Sequence, residues 1–277
     1  MFYRRILLSI YKIFSKFYVF LFGSKKMQLI NEVIFSLALD AKGYKNYGNF
    51  SKTGEKFFIN LIKNEINLAI DIGANIGSYT KLLLSESNAK VISFEPLPEA
   101  FKELETLKNE FKNRLTTHNL ALGNDNKMQD LFYENSKSEK ASLIENLEEL
   151  SFIKDKNKNK TSIKVCKLDD FEKELGKEII DFIKIDTEGY EYEVLLGAKN
   201  ILMKHKPKFI QIEFNWHQLI KNQTLYNLSK LISFSDVFRI LPNKRGLIHV
   251  DPSRPENNIY HLSNYIFIRK DISQNYK

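Results

Sequence analysis

The hydrophobic pattern divides the chain into an amphipathic opening and a regular body. Read as a helix, residues 1–23 (MFYRRILLSIYKIFSKFYVFLFG) place Arg5, Ser9, Lys12 and Lys16 at spacings of four, three and four, which is one polar stripe. Ile6, Leu7, Ile10, Ile13, Phe14, Phe17, Phe20 and Leu21 form the other face. Residues 27–67 mix short helical signals with a polar patch, AKGYKNYGNFSKTGEKFF, and read as a connector into a helix over Phe57, Phe58, Leu61 and Ile62. A boundary near residue 52 therefore separates an N-terminal helix and connector, 1–52, from a globular domain, 53–277.

From residue 68 strands and helices alternate. LAIDI (68–72) predicts a buried strand, GANIGSYTKLLLSE a turn into a helix, and VISFE (91–95) a second strand bounded by prolines. PEAFKELETLKNEF sets Phe101, Leu104, Leu107 and Phe111 on one helical side. TTHNLAL (116–122), DFIKID (181–186), KFIQIEF (208–214), VFRIL (237–241) and YIFIRK (265–270) complete the strands, and Gly197 closes the helix GYEYEVLL. Near-continuous apolar strands between helices predict an α/β fold, a mostly parallel sheet covered on both faces. The last two strands lack a long helix between them, so an antiparallel end to the sheet is expected. Residues 128–160 do not fit the regular unit, and the run KDKNKNK reads as an exposed, flexible loop.

Charge changes the picture only at the N-terminal end. Forty-two basic and thirty-four acidic residues give a net +8, of which residues 1–26 hold six and the rest of the chain two. A nucleic-acid-binding body with a broad basic face is excluded. Lys12 and Lys16 interrupt the apolar run, so the segment is too short to span a bilayer, and no small-residue cleavage site follows it. Two partners suit it: a membrane surface with snorkelling cations, giving a cytoplasmic protein peripheral on the inner face, or the globular domain or a second subunit. The single cysteine, Cys166, excludes an intrachain disulfide and any multi-thiolate metal site.

The first strand runs through Asp71, Ile72, Gly73, Ala74, Asn75, Ile76 and Gly77 into a helix. In a doubly wound sheet ligands bind beyond the carboxyl ends of the strands, and glycines in this first turn let backbone approach them. Glu95 closes the second strand, where an acidic side chain accepts from a ribose diol. Together they imply an adenosine-bearing cofactor. Asn75 stands where a dinucleotide site wants its second glycine, and Asp71 would repel a pyrophosphate. A cationic amino-acid tail suits that carboxylate, and S-adenosyl-L-methionine carries one.

AIDIGANIGSYT, SFEPLPEAFKELE, NLALGN, LDDF, DFIKIDTEGYEYEVLLGA and PKFIQIEF, in that order, resemble the FkbM family of S-adenosylmethionine-dependent methyltransferases over residues 54–214. The resemblance implies a class I methyltransferase, Rossmann-like fold of seven strands and, usually, O-methylation of a hydroxyl on a sugar, glycan or polyketide-type product. It also implies that Asp71, Gly73, Asn75 and Gly77, with Tyr79 nearby, hold the cofactor's amino-acid tail. Glu95 would hold the ribose, and Asn119, Ala121 and Leu122 would edge the adenine.

Lys184, Asp186 and Glu188 alternate at the fourth strand, so Lys184 and Asp186 share a face with Asp186 at the carboxyl end. O-methylation needs a base that takes the acceptor's proton as the bond forms. Asp186 is the first candidate and Glu188 the second, while Lys184 reads as the partner of a carboxylate. His217 is a further candidate base, though a lone histidine after a strand is more often packed or exposed. Asp186, Glu188 and Glu213 would suit magnesium or calcium were they to converge, but no close-spaced ligand motif is present and no metal is assigned. The expected acceptor is a small molecule or glycan, with a sugar hydroxyl of a surface glycan or its activated precursor foremost. A nicotinamide-dependent oxidoreductase and a non-catalytic cofactor-binding scaffold of the same fold remain the alternatives.

Overall fold

The computed structural model describes residues 2–134, 141–144, 159–176 and 178–277. The chain forms two compact units, Met1–Lys45 and Asn46–Lys277. In the first, the amphipathic pattern is a helix, Phe2–Phe22, followed by a 3-10 turn, Lys25–Met27, and a second helix, Gln28–Ala41. The second helix corrects the reading of this stretch as connector: QLINEVIFSLALDA contains no glycine or proline, and the polar patch begins only after it. Tyr18 Oη donates to Asn31 Oδ1 at 2.7 Å and Asn31 Nδ2 to the Phe22 carbonyl at 2.8 Å, tying the two helices. Among the described residues no helix is long and apolar enough to cross a membrane.

The second unit holds eleven strands among the described residues: β1 (Leu68–Ile72), β2 (Lys90–Phe94), β3 (Leu115–His118), β4 (Ala121–Leu122), β5 (Lys127–Tyr133), β6 (Asn159–Cys166), β7 (Phe182–Ile185), β8 (Phe209–Phe214), β9 (Ser235–Ile240), β10 (Leu247–Val250) and β11 (Ser263–Arg269). The main sheet has the order β10-β9-β11-β8-β7-β1-β2-β3. Pairing is parallel from β3 to β8 and antiparallel at β8–β11, β11–β9 and β9–β10, so the expected antiparallel end is present. The sheet is mixed, with eight strands rather than seven. The extra one, β10, follows a tight turn with positive φ at Asn243, Lys244 and Gly246, and its four residues are too few for a periodic signal.

Two further expectations are corrected. The single strand expected over 116–122 splits, because Asn119 Nδ2 donates to the carbonyls of Glu95 and Pro96 and the chain leaves the main sheet there. Ala121 and Leu122 instead pair with Val165 and Cys166 in a second sheet, β4-β6-β5. Within 128–160, residues 128–133 belong to β5, which pairs antiparallel with β6 beginning at Asn159, rather than to loop, over a small core of Leu97, Ala121, Leu131, Ile163 and Val165. The inward face of KTSIKVC offers only Ile163 and Val165 as large apolar side chains beside Thr161, too few to mark the strand. Of the lysine-rich run, residues 154–158 lie outside the described residues, and Asn159 and Lys160 begin β6.

The main sheet is covered on both faces, as its fully buried β1 and β7 require. The helices Glu55–Ile62 and Ser78–Glu86 cover one face through Phe58, Ile59, Ile62, Leu83 and Leu84. Glu191–Gly197, Lys199–His205 and Leu225–Leu231 cover the other through Val194, Leu195, Ile201, Leu202 and Leu228. The pleat sends Ile70, Ile72, Ile183 and Ile185 to this second face, and Ala69, Asp71, Phe182 and Lys184 to the first. Register then aligns Ser93, Asp71, Lys184 and Gln211 across β2, β1, β7 and β8. This buried polar rung crosses an otherwise apolar face just below the strands' carboxyl ends.

Candidate active site

Above that rung opens a cavity of about 1090 Å³, bounded by the turns after β1, β2, β7 and β8 and by the second sheet. The size matches a site for a drug-sized ligand and leaves room for a second molecule. Gly73, Asn75, Tyr79, Glu95, Ala121, Leu122, Asp186 and Glu188 all line it. Of the residues singled out from sequence, Asp71, Gly77 and Asn119 do not.

The β1 turn is built by backbone that few residues tolerate. Gly73 has φ +80°, and a Cβ there would lie 1.8 Å from the Asp186 carbonyl oxygen, so the turns after β1 and β7 touch through a glycine. Gly77 packs on Leu104 and Leu107 and starts the helix Ser78–Glu86. Glu95 clasps the turn: its Oε2 accepts from the Asn75 amide at 2.8 Å and its Oε1 from the Leu97 amide at 2.7 Å. Each oxygen keeps a lone pair for a ligand hydroxyl. Burial pushes this carboxyl up to about 7, against the two backbone hydrogen bonds. Asn119, exposed, braces the turn after β2 by donating to the carbonyls of Glu95 and Pro96.

Asp71 is fully buried beneath the turn. Thr80 Oγ1 donates to its Oδ2 at 2.6 Å, and Oδ1 has no hydrogen-bond partner among the described residues. Burial raises this carboxyl and Lys184 opposes the rise. Lys184 itself is buried, with Nζ 2.7 Å from Asp186 Oδ2 and 4.6 Å from the Tyr79 ring centroid. Burial disfavours its charge, but Asp186, Asp71 and Glu55 together hold the ammonium well above its usual range. Tyr79 Oη donates to Gln211 Oε1 at 2.6 Å, and Gln211 Nε2 donates to Glu55 Oε1 and Asn264 Oδ1 at 2.8 and 2.9 Å. Glu55, Gln211 and Asn264 escaped the sequence reading. Gln211 carried a signal, a polar residue inside the buried strand FIQIEF, whereas Glu55 lay unmarked in a polar patch.

On the other side of the cavity Asp186, Glu188 and Glu213 do converge, with oxygen atoms within 4.8 Å of one another, a donor set of the hard-cation type. Asn215 Nδ2 donates to Glu213 Oε1 at 3.0 Å and Glu188 Oε2 at 3.3 Å. Burial raises the Glu188 and Glu213 carboxyls well above their usual range, and Asp186 raises both further. His217 Nδ1 is 2.7 Å from Asn215 Oδ1 and 3.1 Å from Glu188 Oε2. Burial pushes this imidazole down to about 3, so it is neutral near pH 7. Glu191 fixes the whole turn: its Oε1 accepts from the amides of Thr187 and Gly189 and from Thr187 Oγ1. Burial raises Glu191 to about 7.

Five carboxylic acids thus line the cavity, Glu55, Glu95, Asp186, Glu188 and Glu213, against one ammonium, Lys184, among the described residues. Apolar side chains of Ile76, Leu120, Leu122, Leu131 and Leu143 face it near Glu95, and Tyr47, Trp216 and Tyr260 add aromatic surface. The arrangement suits a ligand with a diol, a flat apolar part and a cationic part.

A family model, "Methyltransferase FkbM domain", matches residues 71–246. No curated protein matches the chain. Similar solved structures include "Methyltransferase FkbM from Methylobacillus flagellatus KT", 15% identical, with 86% of this chain and 60% of that one covered and a TM-score of 0.46. They also include "P. horikoshii TYW2 in complex with MeSAdo", 14% identical, covering 81% and 65% with a TM-score of 0.40. A third is an rRNA methylase from Streptococcus thermophilus, 11% identical, covering 78% and 93% with a TM-score of 0.40. The chain therefore spans about three fifths of the length of the first of these proteins and 65% of the second.

Proposed function

Since the chain belongs to the FkbM methyltransferase domain family, we propose that it is an S-adenosylmethionine-dependent O-methyltransferase acting on a sugar hydroxyl. The observation that carries this reading is the placement of Glu95 and Asp186 on one cavity, at the ends of the two strands that flank β1. S-adenosylmethionine supplies a methyl group on a sulfonium, open to displacement by an oxygen nucleophile. Glu95, already clasped by two amides, offers its remaining lone pairs to the ribose diol. Leu120, Leu122, Leu131 and Leu143 would give the adenine an apolar wall, and the carboxyl groups of the cavity would favour the sulfonium and ammonium.

Asp186 would take the proton of the acceptor hydroxyl, and the cofactor's sulfur would leave as the neutral thioether when the acceptor oxygen takes its methyl group. Lys184 holds the orientation of that carboxylate from within the strand. Glu188, Asn215 and His217 form a buried bonded group beside it and help seat the acceptor. Tyr47, Trp216 and Tyr260 offer aromatic faces to the C–H face of a sugar ring. A surface glycan, or the sugar end of its activated precursor, fits these terms.

Transfer of a labelled methyl group to a panel of neutral sugars and glycans tests the reading, with protein and small-amine acceptors as controls. An ether product on a sugar supports it. Label found only on nitrogen contradicts the acceptor, and cofactor binding without transfer to any acceptor favours a scaffold.

A further inference from the structure

Fourteen of the twenty-three exposed large hydrophobic side chains among the described residues fall between Ile10 and Leu37. On the helix Phe2–Phe22, Ile10, Phe14, Phe17 and Leu21 recur at four, three and four and are 44% to 61% exposed. On Gln28–Ala41, Leu29, Val33 and Leu37 recur every fourth residue and are 53% to 70% exposed. Burying any of these in water-free surroundings is favourable, and exposed apolar surface on this scale marks an interaction site.

The charge of the same segment identifies what covers it. Residues 1–26 contain six basic residues and no acidic one, and the second helix adds two acids, Glu32 and Asp40, leaving the helix pair a net +4. Lys12 and Lys16 are exposed and lie off the apolar stripe of their helix. We propose that this helix pair lies on an anionic lipid surface, apolar stripes in the acyl boundary and cations among the headgroups. Pairing with a second copy through the same stripes would bring together two helix pairs that each carry an excess of positive charge, a repulsive arrangement. Neither helix is long and apolar enough to cross a bilayer, so the geometry is interfacial. The inference stands independently of the methyl-transfer reading, and each fails on its own experiment.

The test is co-sedimentation of the full chain with vesicles of phosphatidylcholine alone and of phosphatidylcholine with phosphatidylglycerol, at low and high salt. Binding to the anionic vesicles, much weaker on neutral vesicles and at high salt, is expected. Lys12→Ala/Lys16→Ala lowers partitioning by about thirtyfold. Phe14→Glu/Phe17→Glu abolishes it, and Leu29→Glu/Val33→Glu repeats that loss from the other helix; circular dichroism matching wild type shows each variant is folded. Absence of wild-type binding overturns the proposal. So does equal binding to neutral and anionic vesicles, or self-association by light scattering without vesicle binding.

Discussion

Lys184 sets its ammonium 2.7 Å from Oδ2 of Asp186, two residues further along the same strand end, and does so from a buried position. Asp71 lies opposite it in register on β1, and Glu55 faces it from the helix above. One cation therefore compensates several buried carboxylates, and it also fixes the direction of the proposed base.

Removing that cation should be costly. Lys184→Met leaves Asp186 and Asp71 without their compensating charge and is expected to destabilise the protein by about 3–5 kcal/mol. Chemical denaturation measures this, and a loss below about 1 kcal/mol would mean that the carboxylates are already neutral.

Asp186→Asn keeps the shape and a hydrogen bond to its surroundings while removing the base. Turnover is expected to fall by about a hundredfold to ten-thousandfold with cofactor affinity little changed. Glu188→Gln should fall less, because that carboxyl is already engaged by Asn215 and His217. Steady-state kinetics with cofactor titration separates the two, and the reverse ranking would move the base to Glu188.

Stability should rise on mild acidification. Glu95 and Glu191 titrate near 7 in the folded state, against an ordinary value of 4.5, so the stability that their protonation contributes is full below 4.5 and lost as pH rises through 7. Between pH 8 and 5.5 each group favours the acidic condition by about 2 kcal/mol. His217, held down to about 3 by burial, opposes this once the unfolded imidazole protonates below 6.5, by about 1.4 kcal/mol at pH 5.5. From these three groups the protein is therefore expected to be about 2.5 kcal/mol more stable at pH 5.5 than at pH 8, and the raised carboxyls of Glu55, Asp71, Glu188 and Glu213 act with the same sign. Urea unfolding at the two pH values checks it, and a higher midpoint at pH 8 would contradict the protonation states assigned here.

The strands were legible where burial on both faces makes them nearly continuous apolar runs, as in LAIDI and FIKI. They were not legible in β6, whose inward face offers only Ile163 and Val165 as large apolar side chains beside Thr161, nor in β10, four residues long. Glycine turns and strand-end acids stood out because they sit next to regular elements. Glu55 did not, because its partner Gln211 is brought to it only by the fold. Asp71 shows the converse: its place in the motif was plain from sequence, but only the pleat reveals that it lies under the cavity, against Thr80 and Lys184, and not on its wall.

In the proposed function the cavity binds S-adenosylmethionine with Glu95 on the ribose. Isothermal titration with S-adenosylmethionine, S-adenosylhomocysteine and NAD, on wild type and Glu95→Ala, is the decisive measurement. Micromolar-range binding of both sulfur compounds, none of NAD, and affinity at least about tenfold weaker in the variant are expected. No binding of either sulfur compound to the wild type, or undiminished binding to Glu95→Ala, would contradict it.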